Sequence, residues 1–302
     1  MEFCVNKNWK NIAKGHTAFC IFGGPSSNQV KDINKIIENN FTVTVNHNIK
    51  RFPNASMFVT ADNPIAREYF EDKEFFLHKF EGGKLLRNQS QFNFNSDPIW
   101  VKGKRDIISQ NPNLIKIIAC IDSVCYNTNF SCGQLYKYKG IEYAKEVKNT
   151  HICLERRDKN NEAYPILSPS IPESLIEYGK DPLNLMPGGN IASVALQILY
   201  YMGFDKVVIV GYGDKGETQG YEDVEYFAGA DKNSSVKSDN KVWSWSEPEL
   251  HAMVVHQHVW GDRIKLLHGG EVCKEYAHYK DATYSDLENN NKKELIDKLI
   301  KL

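Results

Sequence analysis

Residues 18–27 read AFCIFGGPSS, an apolar run that stops abruptly at two glycines, a proline and two serines. The apolar part predicts a buried strand over Thr17–Phe22, and apolar residues at helical spacing then predict a helix over Asn28–Glu38. Such a turn lets a backbone approach a phosphate closely, and the helix N-terminus offers free N–H groups. The predicted phosphate-binding residues are Gly23, Gly24, Pro25, Ser26 and Ser27. The pattern is neither GxGxxG nor GxxxxGK[ST], so an ordinary capped turn remains the alternative.

A second glycine turn lies far downstream, where residues 188–215 read GGNIASVALQILYYMGFDKVVIVGYGDK. Two glycines lead into a predicted helix over Asn190–Met202, and a strongly apolar strand over Lys206–Val210 ends at another glycine. Ligands of doubly wound folds bind outside the carboxyl ends of the strands, which is where both turns fall. The predicted nucleotide-binding residues of this unit are Gly188, Gly189, Asn190, Gly211 and Asp214.

The order of predicted elements favours a parallel sheet covered by helices, because strands and helices alternate along the first half of the chain. The other predicted elements there are the strands Phe41–Val45, Met57–Thr60, Leu114–Cys120 and His151–Leu154 and the helices Pro64–Phe70 and Ile141–Lys148. Further on, Ser246 and Glu249 predict a capping box that begins a helix, before a strand over Ile264–Leu267 and a terminal helix over Ser285–Leu302.

These patterns predict the α/β class, with a Rossmann-like, doubly wound and mainly parallel sheet. We expect one domain over residues 1–302, with a proline-rich insertion over 155–187 and a lid over 214–245. The lid is polar, rich in glycine and without apolar periodicity in most of its length.

Composition excludes several classes of protein. A net charge of -1 offers no general attraction for nucleic acid or for an anionic membrane. The apolar runs are too short to span a bilayer, and residues 1–4 do not open a signal peptide, so no transmembrane segment is expected. The seven scattered cysteines suit a reducing cytoplasm, and the spacing of Cys120, Cys125 and Cys132 is not that of a zinc site. The oligomeric state stays open.

The two glycine-turn units together resemble the MptE-like Rossmann family. This family includes archaeal 6-hydroxymethylpterin diphosphokinases and Maf flagellin glycosyltransferases, and it is related to Campylobacter-type bacterial sialyltransferases. Its GxGPSL turn matches residues 23–27, and its segment of two glycines, helix and strand matches residues 188–214. Ser27 and Lys215 depart from the pattern of these proteins, which leaves the donor sugar open.

Further residues match the sialyltransferases. An asparagine follows the second predicted strand at Asn46, and an Asn-Pro pair follows the third at Asn63. A lid tyrosine falls ten residues past Gly211, at Tyr221. His251, at the start of the helix beyond the lid, is the nearest match to the catalytic histidine of that group.

The resemblance implies a glycosyltransferase that uses a nucleotide sugar, with a CMP-linked donor as the first expectation and a glycan, lipid or protein as acceptor. Asn46, Asn63 and Asp214 would recognise base and ribose, and His251 would deprotonate the acceptor, with His256 as second choice. Tyr221 or Tyr226 would stabilise the leaving phosphate. No metal or other cofactor is required in this interpretation, and His251, His256 and His258 do not share one helical face, which argues against a metal triad.

Two alternatives remain. The first is a diphosphokinase that acts on a pterin-like alcohol with ATP and Mg²⁺, held by the carboxylates of Asp62, Asp214 and Asp223. The second is a nucleotide-binding module without catalysis.

Overall fold

A parallel sheet of eight strands forms the centre of the described protein. The structure is a computed structural model that describes residues 7–61, 63–70, 72, 74–78, 98–121, 146–155, 167–214, 245 and 247–301. The sheet strands are β1 (Thr17–Ile21), β2 (Thr42–Val45), β3 (Met57–Thr60), β6 (Ile115–Ile121), β7 (Thr150–Glu155), β8 (Lys206–Val210), β9 (Ile264–His268) and β10 (Lys280–Asp281). A separate antiparallel pair is formed by β4 (Glu74–His78) and β5 (Pro98–Lys102).

The direction of the chain across the sheet reverses at β1. The spatial order is β10-β9-β8-β1-β2-β3-β6-β7, and every neighbouring pair is parallel. The chain therefore moves outward from β1 to β7 and then returns to place β8 on the other side of β1. The register pairs Thr17 with Lys206 and Ile21 with Val210, so both strands end at the same level. The topological switch point, where ligands of doubly wound folds bind, lies between β1 and β8.

Helices cover both faces of the sheet. The α-helices are α1 (Ile33–Asn39), α2 (Asn63–Phe70), α3 (Arg105–Ser109), α4 (Pro172–Ile176), α5 (Ile191–Tyr201), α6 (Glu247–Trp260), α7 (Glu271–Ala277) and α8 (Lys292–Ile300). Short 3₁₀ helices span Lys7–Trp9, Pro25–Gln29, Asn46–Lys50, Gly261–Arg263 and Tyr284–Leu287.

Alternate residues of the strands pack against different helices. Cys20 of β1 packs in a core cluster with α5 and α6, whereas Phe19 and Ile21 of the same strand pack in another cluster with α1. Farther along the sheet, Phe58 of β3 packs in a cluster with α2. Successive side chains of a strand point to opposite faces of the sheet, and helices cover both faces, so the strands are apolar on both faces.

The structure confirms the predicted α/β class, the parallel sheet and the strands at its centre. The predicted helix over Asn28–Glu38 is wrong in part, because a 3₁₀ helix ends at Gln29 and α1 begins only after Asp32, whose φ is 53°. The pair β4–β5 was not predicted. Residues 141–145 of the predicted helix Ile141–Lys148, Ser246 of the capping box and most of the lid fall outside the described residues. Among the helices that are described, none combines the length and apolarity needed to cross a bilayer.

Candidate functional site

Three glycine turns meet at the carboxyl edge of the sheet, and the carboxylate of Asp214 joins them. Asp214 lies just after β8 and is 8% exposed. Its Oδ2 accepts a hydrogen bond from the Ser26 N–H at 2.9 Å, and its Oδ1 accepts one from the Ser26 hydroxyl at 2.9 Å. The same Oδ1 accepts from the Gly270 N–H, also at 2.9 Å, after β9. One carboxylate therefore holds the ends of β1, β8 and β9 in a fixed arrangement.

The turn after β1 uses its own N–H groups within the protein. Gly24 donates to the Gly211 carbonyl at 2.8 Å, and Ser27 donates to the Gly24 carbonyl at 3.1 Å. The Ser26 N–H is held by Asp214, and Pro25 has no N–H. The N–H groups of Gly24, Ser26 and Ser27, which were predicted to bind phosphate, are thus already bonded to acceptors of the protein itself.

Close packing explains two of the glycines at this edge. A Cβ on Gly24 would lie 2.4 Å from Asp214 Oδ2 and 2.7 Å from the Gly211 carbonyl oxygen. A Cβ on Gly269 would lie 2.3 Å from Asp214 Oδ1. Neither position has space for a side chain while the Asp214 carboxylate is in place.

The turn before α5 is built differently. Asn190 is the N-cap of α5, and its Oδ1 accepts from the Ser193 N–H at 3.2 Å and from the Ser193 hydroxyl at 3.3 Å. Gly189 has a φ of 75°, and a Cβ there would lie 3.4 Å from Glu249 Cγ. The first turn of α6 therefore packs beside the start of α5.

A buried chain of hydrogen bonds runs from α6 to this N-cap. The Trp260 indole N–H donates to the Tyr178 hydroxyl at 3.2 Å, and this hydroxyl lies 2.7 Å from His256 Nδ1. His256 Nε2 lies 3.2 Å from the hydroxyl of Ser193. The Ser193 hydroxyl has one proton and donates it to Asn190 Oδ1. We therefore infer that His256 carries its proton on Nε2, donates it to the Ser193 oxygen and accepts from Tyr178 at Nδ1.

His256 is fully buried, and burial lowers its pKa to about 3. It is therefore neutral at neutral pH, and both of its ring nitrogens have partners inside the protein. His256, the second candidate for the catalytic base, is therefore buried where the hydroxyl of a sugar acceptor does not reach it.

His251 lies on α6 with its side chain 42% exposed, and its Nε2 is 3.8 Å from Glu247 Oε1. Glu249, rather than His251, is the residue of this turn that lies against Gly189. Residues two apart on a helix differ by about 200° around its axis, so His251 is on another side of α6 from that contact. Its role as a base stays a prediction.

Tyr212 is a residue of this edge that the sequence analysis missed. It is 3% exposed, and its ring lies 5.3 Å from that of Phe22 and 5.5 Å from that of Trp245. Burial raises its pKa well above the usual value, so its hydroxyl stays protonated. Its place between Gly211 and Gly213, in the turn after β8, was the signal available in the sequence.

The predicted base-recognition residues also lie at the carboxyl edge. Asn46 follows β2 with a φ of 48°, and its Oδ1 accepts from the Thr60 hydroxyl at 3.0 Å. Asn63 is the first residue of α2, shortly after β3. Asp214 also belongs to this edge, but its carboxylate binds Ser26 and Gly270.

Several predicted residues fall outside the described ranges, namely Tyr221, Tyr226, Asp62 and Asp223. Within those ranges, no three or more His, Cys, Asp or Glu side chains are grouped so that they could hold a metal ion.

Comparison with known proteins identified no similar protein. The chain matches no protein-family model, no curated protein and no solved structure. The arrangement of residues at the carboxyl edge is therefore the basis on which a function is proposed.

Proposed function

We propose that this chain is a glycosyltransferase, similar to sialyltransferases, that transfers a sugar from a nucleotide-sugar donor to a hydroxyl of a glycan, lipid or protein. The observation that carries the proposal is the switch point between β1 and β8, where both strands end at glycine turns beside the N-terminus of α5. This is the position at which parallel α/β sheets bind nucleotides. We propose CMP as the nucleotide because of the resemblance described above.

The engagement of Asp214 favours sugar transfer over the diphosphokinase alternative. A diphosphokinase needs carboxylates that can hold Mg²⁺ between the phosphates of ATP. Both oxygens of Asp214 already accept hydrogen bonds from Ser26 and Gly270. These three hydrogen bonds occupy three of the four acceptor positions of the carboxylate, so a metal ion could use only the one position that remains on Oδ2.

In the proposed reaction the anomeric carbon leaves the donor phosphate and joins the acceptor oxygen. The bond between that carbon and the phosphate oxygen breaks, and the nucleotide departs with the electron pair. The acceptor hydroxyl loses its proton to the imidazole of His251 as the new bond forms. His251 is the candidate because its side chain is half-exposed on α6, whereas His256 is buried.

The first test is a thermal-shift panel with CMP, CDP, UDP, GDP and ATP, each with and without Mg²⁺. A ligand that binds the folded state raises the melting temperature by mass action. We expect stabilisation by CMP without metal. Stabilisation by ATP with Mg²⁺ alone would instead support the diphosphokinase.

The second test compares His251→Gln with His258→Gln, two exposed or half-exposed histidines of the same helix. We expect His251→Gln to reduce the rate of sugar transfer by about a hundredfold or more while CMP binding is unchanged. His258→Gln should keep both. Equal transfer rates in the two variants would remove His251 from the mechanism.

A further inference from the structure

We infer that the N-terminus of α5 is the oxyanion subsite of this crevice, with the Asn190 amide Nδ2 and the Tyr212 hydroxyl as its side-chain donors. The ligand class is a phosphate or carboxylate group. The inference rests on the proposed function only for the source of that group, which would be the phosphate or the sugar acid of the donor. The turn after β1 is not this subsite, because the N–H groups of Gly24, Ser26 and Ser27 are bonded within the protein.

The orientation of Asn190 follows from the buried chain. The Asn190 Oδ1 accepts both the N–H and the hydroxyl of Ser193, so Oδ1 is directed into α5. The Ser193 hydroxyl donates to Oδ1, so its own oxygen is left to accept the proton of His256 Nε2. His256 is in turn fixed by Tyr178. The amide therefore turns its NH₂ group away from the helix.

Two buried polar atoms are left beside each other by this arrangement. Asn190 Nδ2 and the Tyr212 hydroxyl are both buried, and neither makes a hydrogen bond of acceptable geometry with the part of the protein described. Burial raises the pKa of Tyr212, and the nearby Asn190 side chain lowers it by a smaller amount, which places the two groups next to each other. Buried polar groups without partners are costly, which indicates that a ligand completes them.

The backbone adds donors at the same place. Asn190 caps the Ser193 N–H, whereas the N–H groups of Asn190, Ile191 and Ala192 have no acceptor within the described ranges. The helix dipole places partial positive charge at this end of α5. All these groups donate, so a ligand that satisfies them has to bring acceptor oxygens, and an oxyanion does so best.

One carboxylate acts against an anion here. Glu249 Cγ lies 3.4 Å from where a Cβ on Gly189 would be, so the side chain of Glu249 lies next to the proposed subsite. Burial is the main reason that the pKa of Tyr212 is raised, and the charge of Glu249 adds to it. We therefore expect Glu249→Gln to bind an oxyanion more tightly than the wild-type protein does.

The decisive variant is Asn190→Asp. Aspartate is as good an N-cap as asparagine and keeps an acceptor for both Ser193 donors, but it replaces the amide NH₂ by a negative oxygen. We expect inorganic pyrophosphate to bind about ten- to a hundredfold more weakly to this variant, by calorimetric titration of the full chain. The control is Asn113→Asp, which adds the same charge at an exposed turn just before β6.

Tyr212→Phe separates binding from folding. Since the Tyr212 hydroxyl makes no well-formed hydrogen bond, its removal should leave the melting temperature unchanged or raise it. The same change should weaken pyrophosphate binding. A purely structural tyrosine would lose stability and leave binding intact, which is the opposite result.

The source of the oxyanion is found with CMP, cytidine and N-acetylneuraminate as probes. If the nucleotide phosphate occupies the subsite, Asn190→Asp weakens CMP binding and not cytidine binding. If the sugar acid occupies it, the change weakens binding of N-acetylneuraminate and not of CMP. The inference is overturned if the wild-type protein binds none of the oxyanions, or if Asn190→Asp binds all of them as the wild type does.

The two proposals fail separately. Loss of pyrophosphate binding in Asn190→Asp, together with no consumption of any nucleotide sugar by the wild-type protein, would keep the subsite and remove the glycosyltransferase. Sugar transfer with unchanged oxyanion binding in Asn190→Asp would keep the glycosyltransferase and remove the subsite.

Discussion

The turn after β1 and the turn before α5 have similar sequences, GGPSS and GGN, but opposite arrangements of donors. In the first, the N–H groups of Gly24, Ser26 and Ser27 are all bonded to acceptors of the protein. In the second, the N–H groups of residues 190–192 lack acceptors among the described residues, and a buried amide and hydroxyl lie beside them. A glycine pair at a strand or helix end thus marks close packing in one case and a candidate ligand site in the other.

The largest effect that separates the two turns is expected from Asp214→Ala. The change leaves the Ser26 N–H, the Ser26 hydroxyl and the Gly270 N–H without their shared acceptor in a buried place. We expect the free energy of unfolding to fall by about 3–5 kcal/mol, because hydrogen bonds to a charged group are lost and buried donors are left unpaired. Urea denaturation measures this loss.

The matched control is Asp205→Ala, at an exposed aspartate just before β8. Its effect should stay within about 0.5 kcal/mol. Equal losses in the two variants would mean that the Asp214 carboxylate does not hold the three turns together.

A smaller difference is expected between Gly24→Ala and Gly189→Ala. Gly24 has a φ of -69°, which alanine adopts readily, but its Cβ would overlap Asp214 and the Gly211 carbonyl. Gly189 has a φ of 75°, which alanine disfavours, but its Cβ would meet Glu249 only at 3.4 Å. We expect a loss of about 3 kcal/mol for Gly24→Ala from overpacking and about 1 kcal/mol for Gly189→Ala from backbone strain. The reverse order in urea denaturation would contradict the packing described for the first turn.

The smallest effect, taken per pH unit, is the loss of stability in acid that we expect from His256. This residue belongs to the buried chain of hydrogen bonds that ends at the N-cap of α5. Burial lowers the pKa of His256 from its ordinary 6.5 to about 3, so between these values the unfolded chain binds one proton more than the folded protein. The contribution of His256 to stability is complete above pH 6.5 and is lost as the pH falls, by up to about 1.4 kcal/mol per pH unit.

Urea denaturation at pH 7, 6 and 5 tests this slope. His256→Gln should remove that part of the pH dependence, and His258→Gln, at an exposed histidine of the same helix, should not. An identical slope in wild type and His256→Gln would show that His256 does not titrate as its burial requires.

Local pattern predicts the parallel strands well, because each strand at the centre of the sheet is an apolar run that ends at a turn. It does not predict the break before α1, since Val30 and Ile33 keep helical spacing while Asp32 adopts a left-handed conformation between them. It also misses β4, where Phe75, Phe76 and Leu77 are adjacent and do not alternate with polar residues, and whose partner follows only after residue 97.

The candidate site is predictable in position and not in detail. Strand ends and glycines predict a site at the carboxyl edge, and the structure places Gly24, Asn46 and Gly211 at that edge. The role of Asp214 depends on a contact with Ser26, far away in the chain, and no local pattern encodes it. The burial of His256 depends likewise on Tyr178, whereas in the sequence it is one of three histidines on one helix.

The position of β1 between β2 and β8 has a consequence for how the protein is made. Its partner on one side, β2, follows soon after it, but the other, β8, is complete only when residue 210 has been synthesised. Until then Phe19, Cys20 and Ile21 belong to a strand with an unpaired edge, although all three are fully buried in the finished protein. A nascent chain halted before Lys206 therefore presents an apolar strand edge that can pair with other chains, so aggregation during synthesis is a risk that the order of the strands builds into this fold.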